Sequence, residues 1–288
     1  MFLLKFLSGL PLFVLHILGG LAGCLVWLLS PTYRHHMAGN VRQAFPGQGS
    51  GHIIVGAILH AGRTVFEMPR LWLRSQKSAV ALVRKVQGWD TVEAIRAEGK
   101  GIIFLTPHLG CFEVVAQHIA VHMPVTIMFR PPRQAWLTPV MKAGRGKENV
   151  EQAPTDISGV RMMMRTLKRH GAVAFLPDQA PSTGEGRWLD FFGRPAYTMT
   201  LAARLSEMNV EVVFVSVRRL TWGRGYDITY RKPLQPLAGD TEQRARQINH
   251  EIEVLIRQCP EQYLWGYNRY KRPNGAEAPP ETTPRAEN

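Results

Sequence analysis

Two short apolar runs do most to limit what this chain can fold into. Residues 101–105 read Gly-Ile-Ile-Phe-Leu and residues 172–176 read Ala-Val-Ala-Phe-Leu. Runs this short are strands, and the absence of polar alternation means that they are buried. Further strands are expected at 81–86, 125–129, 210–217 and 226–230. Helical spacing falls at 52–73, 90–98, 111–120, 134–143, 157–170, 202–208 and 241–258. Strands alternating with helices predict an α/β domain: a mostly parallel central sheet flanked by helices. In such sheets ligands sit beyond the carboxyl ends of the strands. His108, Arg130 and Asp178 each follow a strand at that end, which makes them candidate site residues.

The N-terminus is of a different kind. From Phe6 to Leu29 there is no Lys, Arg, Asp or Glu; Lys5 precedes the run and Arg34, His35 and His36 follow it. About 20 apolar residues in a helix match the hydrocarbon thickness of a bilayer. A cleaved signal would have a shorter apolar region. Leu21-Ala22-Gly23-Cys24 looks like a lipoprotein cleavage box, but the apolar run continues through Leu25–Leu29, where a mature lipoprotein turns polar. Residues 1–30 are therefore expected to be a membrane-anchor helix. Arg34 and Arg42 against Lys5 bias the following domain slightly toward the cytoplasmic side. Gly19 and Gly23 have GxxxG spacing, which we read as chance rather than an interface. Residues 273–288, rich in Pro, Glu, Ala and Thr, are expected to be a disordered tail.

Thr106-Pro107-His108-Leu109-Gly110-Cys111-Phe112-Glu113 places a histidine and a carboxylate five positions apart. On one continuous helix they would lie about 140° apart and would not meet. They meet if Pro107 and Gly110 make a turn that holds His108 while Glu113 opens the following helix. Imidazole accepts protons near neutral pH, and a carboxylate on its other nitrogen fixes the tautomer and stabilises the imidazolium. Glu113 is expected to orient His108 in this way, with a substrate hydroxyl as the nucleophile.

The net charge is +13, from 35 Lys and Arg against 22 Asp and Glu, so the partner is polyanionic: a nucleic acid, an acidic membrane or an acidic substrate. No interleaved basic–aromatic signature or helix-turn-helix supports nucleic acid. A serine hydrolase would want Gly-x-Ser-x-Gly, which is absent. The three cysteines, Cys24, Cys111 and Cys259, have neither CxxC nor zinc-ligand spacing, so no metal is expected.

The His-x4-Glu box resembles that of glycerolipid-type acyltransferases. A wider set of motifs resembles the lauroyl/myristoyl acyltransferases of lipid A biosynthesis: Asn40-x4-Phe45-Pro46, Met128-Phe129-Arg130-Pro131-Pro132, Leu176-Pro177-Asp178-Gln179, and Phe191-Phe192-Gly193-Arg194-Pro195-Ala196-Tyr197-Thr198, all behind an apolar anchor. The resemblance covers nearly the whole chain except the tail, so 31–272 is expected to be the acyltransferase domain. It implies transfer of an acyl chain from acyl carrier protein to a hydroxyl of a lipid A precursor, at the bacterial inner membrane, without metal or organic cofactor. A glycerol-phosphate acyltransferase is the alternative with the same chemistry, but its Pro-Glu-Gly-Thr-Arg type motif is missing. A membrane-tethered polyanion binder is the non-enzymatic alternative.

The reaction develops negative charge on a carbonyl oxygen, and the acceptor carries phosphates, so arginines are sought around the box. Arg130, Arg145 in the glycine-flanked loop 143–147, and Arg187 are the candidates. Asp178 and Gln179 are expected to order the site by hydrogen bonding. Gly184–Arg187 with Phe191-Phe192-Gly193 is a flexible, aromatic-containing stretch read as part of the acyl or lipid-entry wall, with core packing of both Phe residues the stronger alternative. Met162-Met163-Met164 cannot all face one groove, because three consecutive helical residues point in different directions.

Overall fold

A computed structural model describes residues 2–47, 49–132 and 134–280. The chain opens with helices α1 (Phe2–Gly9), α2 (Leu12–Leu29), α3 (Pro31–Ala44), α4 (Ser50–Leu73) and α5 (Gln76–Val80). Strand β1 (Val83–Gln87) and α6 (Trp89–Ala97) lead to β2 (Gly101–Leu105), α7 (Val114–His122) and β3 (Val125–Phe129). Then come α8 (Thr138–Arg145), β4 (Val150–Pro154), α9 (Ile157–Lys168) and β5 (Ala172–Phe175). The hairpin β6 (Gly186–Phe191) and β7 (Arg194–Met199) precedes α10 (Leu201–Leu205), β8 (Val210–Arg219), β9 (Tyr226–Arg231) and α11 (Thr241–Gln258).

Seven strands form one sheet in the order β1-β9-β8-β2-β5-β3-β4. β8, β2, β5, β3 and β4 run parallel; β9 is antiparallel to β8 and carries β1 with it. The sheet is thus mostly parallel, as the alternation required. The two apolar runs, β2 and β5, are adjacent and central. Ile103, Leu105, Val173 and Phe175 pack on one face with α9, α10 and α11. Ile102, Phe104, Ala172 and Ala174 pack on the other with α6, α7 and α8. Side chains alternate faces along a strand, so a strand covered on both sides must be apolar throughout.

Helices α3 and α5, strand β4 and the hairpin β6–β7 escaped the sequence pattern. β4 reads Val-Glu-Gln-Ala-Pro and lies at the sheet edge, where polar residues and Pro are tolerated. The stretch around Phe191-Phe192-Gly193, read as flexible, is the β6–β7 hairpin. Phe192 (φ 51°) and Gly193 (φ 73°) form its two-residue connection, and the positive angles match the twist of paired strands. Both Phe side chains are buried in the core, so they are not a mobile wall.

The N-terminal apolar run is two helices broken at Leu10–Pro11. α2 is long and apolar enough to cross a bilayer and is a candidate anchor. One face of it packs on α4, while Phe13, Ile17, Leu21, Leu25, Leu28 and Leu29 are exposed on the rest. The Gly19/Gly23 spacing is an interface and not chance. A Cβ on Gly62 of α4 would lie 1.9 Å from the Gly19 carbonyl oxygen, and one on Gly23 would lie 2.1 Å from that of Ile58. Only glycines permit backbones this close. At the other end of the chain, residues 281–288 of the expected tail lie outside the described residues. Within 273–280, the Asn274 and Glu277 carbonyls accept bonds from Thr183 and Trp188.

Candidate active site

Leu105 and Phe175 are paired in register on neighbouring parallel strands. His108 and Asp178 each stand three residues further on, behind a proline, so equal offsets carry both to one place. The His108 amide donates to Asp178 Oδ2 (2.9 Å), and His108 Nδ1 lies 2.8 Å from Asp178 Oδ1. A carboxylate only accepts, so Nδ1 carries the proton and Nε2 is left as the acceptor. Gln179 Nε2 lies 3.2 Å from that Nε2. Asp178 is 2% exposed. Burial opposes its charge, but His108 and a hydrogen bond from the Tyr263 hydroxyl hold it below the usual carboxylate range.

The turn that presents His108 is fixed from behind. Gly110 has φ +58°, and a Cβ there would lie 1.8 Å from the Val217 carbonyl oxygen. Its amide donates to the Gln262 carbonyl (3.0 Å), and the Leu264 amide donates to the His108 carbonyl (3.0 Å). No side chain larger than hydrogen fits this position without moving β8.

Glu113 does not do what its spacing suggested. Among the described residues its hydrogen-bond partners are Trp72 Nε1 (3.0 Å), Arg145 Nε (3.0 Å) and Arg145 Nη2. His108 reaches it only through space, as one of the charges that lower its pKa. The orienting carboxylate on His108 is Asp178. The helix begins at Val114, so Glu113 is the last residue of the turn and points to Trp72 of α4. Burial again opposes the charge, and Arg145 and the Trp72 N–H more than offset it. Arg145 itself lies in the last turn of α8, not in a loop.

A cavity of about 680 Å³ opens in front of these groups. His108, Glu113, Gln179, Arg130 and Arg145 line it, along with Phe112, Ile127, Met164, Leu201, Leu205 and Met208. Its wall is polar at one part and apolar over most of the rest, the form of a site for an amphipathic ligand. Arg130 is exposed at the rim. Met164 faces the cavity while Met163 is buried in the core. Gly184 and Glu185 line it too, but Arg187 does not: it is exposed at the start of β6. Among the described residues no group of His, Cys, Asp or Glu has the arrangement of a metal site.

Sequence reasoning missed a second arginine pair behind the turn. Arg219, at the end of β8, donates through Nε to Glu67 Oε1 and through Nη2 to Glu67 Oε2, both at 2.7 Å. Nη2 also reaches Thr64 Oγ1 (2.9 Å) and the Gly110 carbonyl (3.0 Å). Nη1 lies 3.0 Å from His60 Nδ1, and His16 of α2 lies 2.5 Å from Glu67. Burial and the charge of Arg219 push His60 down to about 2, so it stays neutral and accepts. Burial would raise Glu67, but Arg219 and His16 hold it at about 2. The sequence signal was a Glu, Thr and His at helical spacing on an otherwise apolar α4 face.

The profile of bacterial lipid A biosynthesis acyltransferases matches residues 1–272. The chain belongs to that family. Among its relatives is a lipid A biosynthesis acyltransferase of Haemophilus influenzae, 26% identical over 92% of this chain and 84% of that protein. The lipid A biosynthesis lauroyltransferase of Escherichia coli K12 is 25% identical over 82% of this chain and 78% of its own. The lipid A biosynthesis myristoyltransferase of the same organism is 24% identical over 62% of this chain and 56% of its own. Membership makes the chain an acyltransferase of lipid A biosynthesis, and the cavity in front of the His-x4-Glu turn is this family member's candidate active site.

Proposed function

We propose that the chain transfers a fatty-acyl group from acyl carrier protein to a hydroxyl of a lipid A precursor, a late secondary acylation, with His108 as general base. The observation that carries this reading is the state of His108. Its Nδ1–H is held by a buried carboxylate, and its Nε2 faces a large amphipathic cavity. This is the arrangement that lets imidazole take a proton from a hydroxyl.

The lipid hydroxyl displaces Gln179 at Nε2. Its oxygen attacks the thioester carbonyl carbon while its proton passes to Nε2, and Asp178 stabilises the imidazolium. The carbonyl oxygen takes up negative charge. Arg145 has one Nη without an acceptor among the described residues, and Arg130 stands at the rim, so these two are the donors for the oxyanion and for the anionic lipid head. The C–S bond then breaks, and the imidazolium proton goes to the leaving thiolate. Glu113 keeps Arg145 against the cavity wall and adds negative charge near the imidazolium. Acyl carrier protein, being acidic, is drawn to a chain of net charge +13. α2 anchors the protein to the inner membrane with the domain on the cytoplasmic face.

The test is mass spectrometry of lipid products. Purified wild-type and His108→Ala protein are given acyl-loaded carrier protein with a lipid A precursor or with glycerol phosphates. One acyl chain added to the lipid A precursor, and lost in His108→Ala, is the expected result. Acylation of glycerol phosphates alone would move the protein to that alternative. No product on either acceptor from the folded protein would return it to the polyanion-binding reading.

A further inference from the structure

A second cavity, of about 530 Å³, lies away from the first, where α2, α3 and α4 meet. Its walls include Trp27 of α2, Arg34, His35 and Arg42 of α3, and Gly51 of α4. Arg34 and Arg42 are eight positions apart with Ala38 between them, so all three share one face of α3. Among the described residues no carboxylate lines the groove. Arg42 makes no hydrogen bond or ion pair among the described residues. His35 has one ring contact, with His36. Arg34 places Nη1 on the Trp27 and Leu28 carbonyls (3.1 and 3.5 Å), which fixes the guanidinium at the end of α2. A Cβ on Gly39 or Gly51 would meet nothing within 4 Å, so these two glycines leave the groove open. α4 also starts at this groove without a side-chain cap, leaving backbone N–H groups for an acceptor.

The position of the groove names its occupant. α2 is 18 residues long, about 27 Å at 1.5 Å per residue, close to the hydrocarbon thickness of a bilayer. Its exposed face is apolar to the last residue, Leu28 and Leu29 included. The end of α2 therefore reaches headgroup depth, where tryptophan is characteristic and where phosphates lie. We infer that the groove formed by Arg34, His35, Arg42 and Trp27 binds the phosphate of an anionic glycerophospholipid of the bilayer that holds α2. This rests on the membrane-anchor reading but not on the acyl-transfer mechanism. The bound lipid would be a structural partner, in a groove that shares no lining residue with the candidate active site.

The full chain is reconstituted into nanodiscs of equal parts phosphatidylglycerol and phosphatidylcholine, released in the gas phase, and its retained lipids are counted by native mass spectrometry. Wild type should retain phosphatidylglycerol over phosphatidylcholine by about tenfold, the scale expected for two cations at an anionic surface. Arg34→Gln with Arg42→Gln should abolish the preference. So should His35→Gln with Arg42→Gln, which spares the Arg34 contacts to α2. Lys85→Gln with Arg96→Gln removes the same charge from exposed sites elsewhere and should keep the preference. Equal loss in that control, or no preference in wild type, would overturn the site while leaving the anchor standing. Wild type that does not elute with the discs would overturn the anchor and the site together. Inorganic phosphate titrated into detergent-solubilised protein should leave the His35 resonances unmoved; saturable shifts would make the groove a soluble-phosphate site and overturn the lipid assignment.

Discussion

Two arginine–carboxylate pairs flank the turn that carries His108, and they differ in one respect. Arg219 and Glu67 behind it have side chains 0% and 1% exposed. Arg145 and Glu113 in front are 24% and 6% exposed, because the arginine borders the cavity. Both carboxylates accept two bonds from the guanidinium and one more contact, from His16 or Trp72. The chemistry is the same; access is not. A sealed pair has no other partner to take, so it holds β8, α4, α2 and the Gly110 carbonyl in one arrangement. A pair open on one side holds its arginine in place and still leaves it free to meet a ligand. The difference teaches that a buried ion pair is read by what the cation can still reach.

The comparison breaks first on stability. Glu67→Ala leaves Arg219 charged, enclosed and unpaired, and should cost about 3–5 kcal/mol, the usual scale for orphaning a buried charge. Chemical denaturation checks this. Glu113→Ala should cost clearly less, because Arg145 reaches water through the cavity; a larger loss there would invert the argument. Activity separates the front groups next. Asp178→Asn keeps the shape but no longer demands the Nδ1–H tautomer, and turnover should fall by about 10³-fold, within the range of acid–base support. Steady-state kinetics on folded protein measures it, and near-normal turnover would remove Asp178 as the orienting group. Glu113→Ala should lower turnover by about 10²-fold through loss of Arg145's position. A fall larger than that of Asp178→Asn would make Glu113 the principal carboxylate after all.

The smallest expected effect is with pH. The Glu67 carboxyl is held at about 2, below its ordinary 4.5. Its contribution to stability is therefore complete above about pH 4.5 and is lost as pH falls from there toward about 2. Glu67→Gln should flatten the stability–pH curve in that window and nowhere else. An unchanged slope would mean that Glu67 is already protonated in the fold and that the sealed pair is not ionic.

Much of this was legible from residues alone. β2 and β5 are apolar throughout because helices cover both their faces, so they could be read directly, and so could the positions of His108 and Asp178 beyond their ends and of Arg130 beyond the end of β3. The pairing of His108 with Asp178 was not. Spacing within one segment favours partners near in sequence, whereas strand adjacency in the sheet brought together residues 70 positions apart. The turn at Gly110 was read, but not that it aims Glu113 at Trp72. Edge strand β4 was hidden by its polar residues, and the β6–β7 hairpin by a Phe with positive φ where Asn or Asp is the usual signal. The GxxxG spacing carried real information that only the partner glycine on α4, Gly62, made visible.

The clamp on the catalytic turn has a consequence for how the protein is made. Leu264 bonds the His108 carbonyl, Gln262 the Gly110 amide, and Tyr263 the Asp178 carboxylate. All three follow α11, far along the chain from the turn that they hold. Contacts so distant in sequence form late. Until they form, the chain holds its histidine but not the support that aims it, and the site closes only when the segment after α11 has docked. Removal of residues 262–264 should therefore leave the histidine turn in the chain but without the bonds that aim it.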